Sequence, residues 1–151
     1  MPDIHVSAGV IDDAAGRILV VRKQGTTRFM QPGGKPEPGE SPSATLIREL
    51  DEELGLQLTA DDLRALGTFV SAAANEPGHR VIASAFALRI HPAAARVQAE
   101  IAELRWITPA DVGSLPLAPL SLEHLLPLAW PALRSGAATE TTTRPAGTAA
   151  P

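Results

Sequence analysis

Apolar positions change rhythm along the chain, and the changes mark out its elements. Residues 4–11 alternate loosely and are rich in β-branched side chains, and residues 18–21 form a second apolar run. Asp12-Asp13-Ala14-Ala15-Gly16 supplies turn chemistry between them, so the pair predicts a β-hairpin. Arg28-Phe29-Met30-Gln31 reads as a short strand, and the Pro/Gly-rich stretch 32–39 is expected to loop because it cannot continue one. The period then becomes helical. Ser41 is a suitable N-cap, Pro42 fits the first helical position and Gly55 stops the helix after Leu54.

Further along, residues 66–74 and 80–90 predict a second strand pair joined through Asn75-Glu76-Pro77-Gly78-His79. Residues 104–107 predict a short strand, and Thr108-Pro109-Ala110-Asp111 a capped helical turn. Residues 119–133 predict a helix, with a break near Pro127. From Ser135 the chain is Thr, Ala, Gly and Pro with almost no bulky apolar residue, too little to offset its ordering entropy. One domain over 1–134 and a disordered tail over 135–151 are expected.

The 151 residues suffice for one core without disulfides, and 44% hydrophobic and 20% charged residues indicate an ordinary globular chain. Zero cysteines exclude disulfide frameworks, thiolate metal sites and cysteine nucleophiles, and suit the cytoplasm. Asp3 and His5 stand where a secretory signal needs a basic start and an apolar run, so export is not expected. Residues 115–133 are too interrupted by Glu123, His124 and prolines to span a bilayer. A net charge of −4 argues against a nucleic-acid polymer as partner. It leaves room for a small anionic ligand bridged by a cation.

Arg48-Glu49-Leu50-Asp51-Glu52-Glu53-Leu54 carries the chemistry. At about 100° per residue, Glu49, Glu52 and Glu53 share one arc while Ile47, Leu50 and Leu54 share its neighbour, an acidic face beside a core face. Charge runs on helices are usually solvated, but Glu49 and Glu53 repel at i and i+4 and stand where the macrodipole disfavours anions. One arginine, Arg48, cannot neutralise four acids; a bound cation can. Converging carboxylates beside backbone carbonyls form a hard-oxygen site of the type that suits magnesium or manganese.

With Gly34 and Glu40 upstream, the stretch resembles the signature of the Nudix hydrolases: a Gly, five residues, Glu, seven residues, then Arg-Glu-aliphatic-any-Glu-Glu-any-Gly-aliphatic. Here it reads Gly34, Glu40, Arg48-Glu49-Leu50, Glu52-Glu53 and Gly55-Leu56, and every defined position matches. The resemblance, strongest to small MutT-like members, implies an α/β fold with a mixed β-sheet sandwiched between helices (α/β/α). It implies that Glu49, Glu52, Glu53 and the Gly34 carbonyl bind Mg2+ or Mn2+, and that Glu49, or else Glu52, serves as the base for the attacking water. Glu40 would support the metal ligands from behind or simply favour a helix N-terminus, and Arg48 would orient the carboxylates. Glu100 and Glu103 are candidates for a further ligand or exposed strand acids. Arg28 and Lys35 are candidates for phosphate contact or solvated cations, as are Arg22 and Lys23. Phe29, Phe69 and Phe86 are expected mainly in the core.

The implied activity is metal-dependent hydrolysis of the diphosphate in a nucleoside diphosphate linked to another moiety, with nucleoside triphosphates or oxidised nucleotides favoured. Alternatives are an ADP-ribose, nucleotide-sugar or dinucleoside-polyphosphate pyrophosphatase, or a non-catalytic nucleotide sensor. The partner is a small nucleotide, and a homodimer is compatible with the sequence. No base-reading signature is visible.

Overall fold

The computed structural model describes residues 3–74 and 76–130. Its sheet holds six strands: β1 (Asp3–Asp12), β2 (Ile18–Lys23), β3 (Gly33–Gly34), β4 (Arg64–Ala72), β5 (Arg80–Arg89) and β6 (Ile101–Ile107). The order is β4-β5-β1-β2-β6, with β3 also paired to β1. β1 runs parallel to β5 over its whole length, from Asp3 opposite Arg80 to Asp12 opposite Arg89, and bidentate Arg–Asp pairs close both ends. The remaining pairings are antiparallel.

Two side-chain clusters explain why alternation is loose in β1 and gives way to an apolar run in β2. Val10, Ile18 and Val20 point to one face and pack with Phe29, Leu125, Leu126 and Trp130. Ile11, Leu19 and Val21 point to the other and pack with Leu46, Leu50 and Leu54 of helix α1 (Pro42–Leu54). A strand covered on both faces has no polar side to show, so period-two alternation fades. The sheet is thus sandwiched between α1 and the C-terminal helical segment, an α/β/α arrangement.

α1 begins as expected. Ser41 accepts the Ala44 N–H at 3.2 Å, and Pro42 occupies the first turn. It ends on Gly55 in the left-handed region (φ 71°), whose N–H reaches the Asp51 carbonyl while that of Leu56 reaches Leu50. This paired closure needs a residue without a Cβ penalty at Gly55. Leu46 rather than Ile47 lies fully in the core, with Ile47 half-buried.

The structure corrects the reading of residues 28–39. Phe29 and Met30 make isolated bridges, to Leu117 and Val21, instead of a strand. Gly33–Gly34, expected to loop, pairs with Ala8 and Ser7 as β3. β1 and β2 share a registered pair only at Asp12 and Ile18, so the expected hairpin splays. The 30–34 segment fills the wedge: Met30 exchanges both backbone hydrogen bonds with Val21, and the Gly9 N–H donates to the Pro32 carbonyl at 2.9 Å. A Cβ on Gly33 would overlap the Ser7 carbonyl, so glycine is required for this approach.

β6 starts at Ile101, three residues earlier than expected, and the capped turn is a 3-10 helix over Pro109–Ser114. The C-terminal helix departs from regular geometry. A π-helical stretch, Ser121–Leu125, leads into one α turn, α2 (Leu126–Ala129). Pro127 lacks an N–H and its ring would crowd the carbonyl four residues earlier, which accounts for the widened turn before it. Residues 131–133 of the expected helix, the expected tail from Ser135 and Asn75 lie outside the described residues.

Candidate active site

β3 places Gly33 and Gly34 at the wall of a cleft of about 390 Å³, which also meets Ser7 of β1, Lys23 of β2, Glu49 of α1, Lys35 and Glu100. Two α1 carboxylates lie against this glycine backbone. Glu53 is 1% exposed and accepts the Gly33 N–H on Oε1 at 3.2 Å, while its Oε2 is buried with no hydrogen-bond partner. A Cβ built on Gly34 would collide with the Glu49 carboxylate, so the bare glycine leaves that carboxylate its position.

Burial raises both acids. Loss of hydration pushes Glu53 up to about 8, against the opposing attraction of Lys23, with Glu49 adding repulsion. Glu49 is raised in the same direction by desolvation, partly offset by Arg48. A carboxylate with an unpaired buried oxygen is costly on its own, and a cation removes that cost.

Arg48 is the hub behind the cleft. It donates to Glu40 at 2.7 and 2.9 Å, to Glu49 at 3.0 Å, to Glu52 at 3.4 Å and to the Lys35 carbonyl at 3.0 Å. Glu40 also accepts from Thr45 and from the Glu37 N–H, and Arg48 first among these donors holds its carboxyl down at about 2. Glu40 therefore clamps the loop to α1 and does not line the cleft. Glu52 stands apart from Glu53 and meets Glu49 across Arg48, whose Nη1 donates to both; its side chain is 54% exposed.

The three glutamates thus do not form one cluster. Among the described residues no three His, Cys, Asp or Glu side chains form a group that could hold a metal ion. One step of 100° separates Glu52 from Glu53, enough to put one in solvent and the other under the glycine strand. The residues able to hold a cation are Glu53, through its unpartnered oxygen, and Glu49, with Glu52 beyond Arg48.

The outlying candidates separate clearly. Glu100 reaches the cleft and pairs with Lys23 at 3.2 Å. Glu103 is taken up outside it by Arg105 first and then Arg22, which hold its carboxyl below the usual range. Lys35 lines the cleft mouth, whereas Arg28 donates to the Leu117 carbonyl and is not part of the wall. Phe29 is buried in the core beneath Arg105, and Phe69 and Phe86 pack against the two clusters. Gln31 and Ser121, both buried, also line the cleft. Ninety residues separate them. The available signal was a lone amide beside Pro32 and a lone hydroxyl within an apolar helix, and neither is distinctive alone.

This geometry has known relatives. A family model described as NUDIX domain matches residues 2–129. An uncharacterized Nudix hydrolase, orf19 of Rhodococcus erythropolis, is 34% identical over 139 residues, covering 84% of this chain and 70% of that protein. The CTP pyrophosphohydrolase of Escherichia coli (strain K12) is 33% identical over 132 residues, covering 83% of this chain and 90% of that one. The solution structure of the E. coli ORF135 protein aligns with a TM-score of 0.65 and 29% identity over 91% of this chain and 94% of that chain. The chain therefore belongs to the Nudix hydrolases, enzymes that act on nucleotide diphosphates.

Proposed function

We propose that the protein hydrolyses a nucleoside triphosphate, or an oxidised form of one, to nucleoside monophosphate and pyrophosphate, using magnesium or manganese. The observation that carries this is the Glu53 carboxylate, buried under the Gly33–Gly34 strand with one oxygen lacking any partner beside Glu49. The E. coli CTP pyrophosphohydrolase, similar over nearly its whole length, supports the triphosphate class.

Glu49, Glu53 and the Gly34 carbonyl would hold the ion, with Glu52 joining when Arg48 releases it. When bound, the ion neutralises charge gathering on the diphosphate and lowers the pKa of a coordinated water. Lys23 and Lys35 at the cleft supply further positive charge for the phosphates. Of the α1 acids Glu49 lines the cleft, and its burial-raised affinity for protons favours it over exposed Glu52 as acceptor of the water's proton.

The test is a nucleotide panel with and without magnesium, with products separated by chromatography. Monophosphate and pyrophosphate should appear only with the ion and stop on chelation. Undiminished turnover in chelator would overturn the metal reading. Tight nucleotide binding without turnover across the panel would replace the enzyme reading with that of a sensor.

A further inference from the structure

We infer that Gln31 is a base-reading residue whose amide N–H2 selects a keto nucleobase at the end of the cleft away from Glu49. This rests on the nucleotide reading above but not on hydrolysis. Gln31 is 5% exposed, lines the cleft, and its Nε2 has no hydrogen-bond partner.

In the structure's arrangement of this amide, Ser121 faces its oxygen and leaves its nitrogen free. The backbone N–H of Gln31 donates to Ser121 Oγ at 3.3 Å, occupying a lone pair of the hydroxyl. The hydroxyl's one proton is donated to Gln31 Oε1. The amide oxygen is therefore satisfied, and Nε2 is left as a buried donor that neither protein group meets. Burying such a donor unpaired is unfavourable, and a ligand acceptor that meets it recovers the loss.

Position adds the second constraint. Gln31 lies three residues before Gly34 across a bend at Pro32, a span of at most about 10 Å along the chain. That spacing suits a nucleotide whose phosphates lie by Gly34 and Glu49 and whose base reaches Gln31. Met30, Ala118 and Leu120 give this end apolar walls. The π-helical turn holds Ser121, 1% exposed, against Gln31. A donor in such a site favours a carbonyl oxygen and rejects an amino group, because donor would face donor with no water between.

The test compares UMP with CMP and GMP with AMP by calorimetric titration, metal-free, so that it reads binding alone. Wild type should bind the keto member of at least one pair tenfold or more tightly. Gln31→Met, of similar length and without a donor, should reduce that ratio to threefold or less. Gln31→Glu, acceptor only, should move the preference toward the amino member, and it serves if the Met variant does not fold. Ser121→Ala should weaken the ratio by freeing the amide to turn. An unselective wild type, a preference for amino bases, or a folded Gln31 variant that keeps the wild-type ranking would overturn the proposal. Base-selective binding by a protein that hydrolyses nothing would overturn the hydrolytic reading and leave this one standing.

Discussion

Glu53 shows how far one residue's environment departs from its letter. Its carboxyl titrates near 8 in the fold against an ordinary 4.5, so between those values the native state holds a proton that the unfolded chain releases. Stability is favoured by this group below about pH 4.5 and declines as pH rises towards 8, by an amount on the order of a few kcal/mol. In metal-free protein, Glu53→Gln should remove much of that slope, because the amide oxygen still accepts the Gly33 N–H and nothing ionises. Urea denaturation at pH 5 and pH 8 in chelator reads this directly; parallel losses in both proteins would mean that Glu53 is hydrated. Magnesium should raise the wild-type melting temperature at pH 8 and raise that of the variant much less. The spacing of the acids was legible in the sequence, but their depth was not. A helical wheel assigns Glu52 and Glu53 to one acidic face, whereas the glycine strand covers only one of them.

At the scale of elements, α1 was the most legible because its stop and start signals are local: Ser41, Pro42 and Gly55 act on their own neighbours. β3 was illegible for the opposite reason. Two glycines carry no side-chain pattern, and their pairing is decided by the splay between β1 and β2. The widened turn at Ser121–Leu125 was visible only as a break near Pro127. The C-terminal closure of α1 offers a quantitative check. Alanine at Gly55 would hold a left-handed conformation costing about 1–2 kcal/mol. Its Cβ would also stand 3.2 Å from Gln98 Oε1, on a side chain whose Nε2 caps the Asp51 and Glu52 carbonyls. Gly55→Ala should therefore lower stability by about that amount in denaturant titration. No loss would mean that α1 ends flexibly.

Over the whole molecule, the two cores meet at the sheet, and the C-terminal side closes with Trp130, buried and donating its indole N–H to the Gly16 carbonyl at 2.8 Å. The composition beyond Ser135 supplies no core side chain of any size. Ending the chain after Arg134 should leave melting temperature and nucleotide hydrolysis nearly unchanged. A fall in either would show that residues 135–151 contact the domain. No described helix is long and apolar enough to cross a membrane. The layered architecture was implied by the family resemblance, while the Gln31–Ser121 contact joins residues too distant for any periodicity to connect.

The parallel pairing of β1 with β5 also governs how the molecule assembles. Its end pairs join residues 77 apart, so β1 waits for just over half the chain before its main partner exists. Such non-local pairing slows folding, because loop-closure entropy is spent before contacts repay it. β3 docks on β1, and both Glu53 and Glu49 are positioned by β3, so the site has no local precursor. On a ribosome it would arise only after β5 emerged, making the appearance of activity a clock for the β1–β5 pairing.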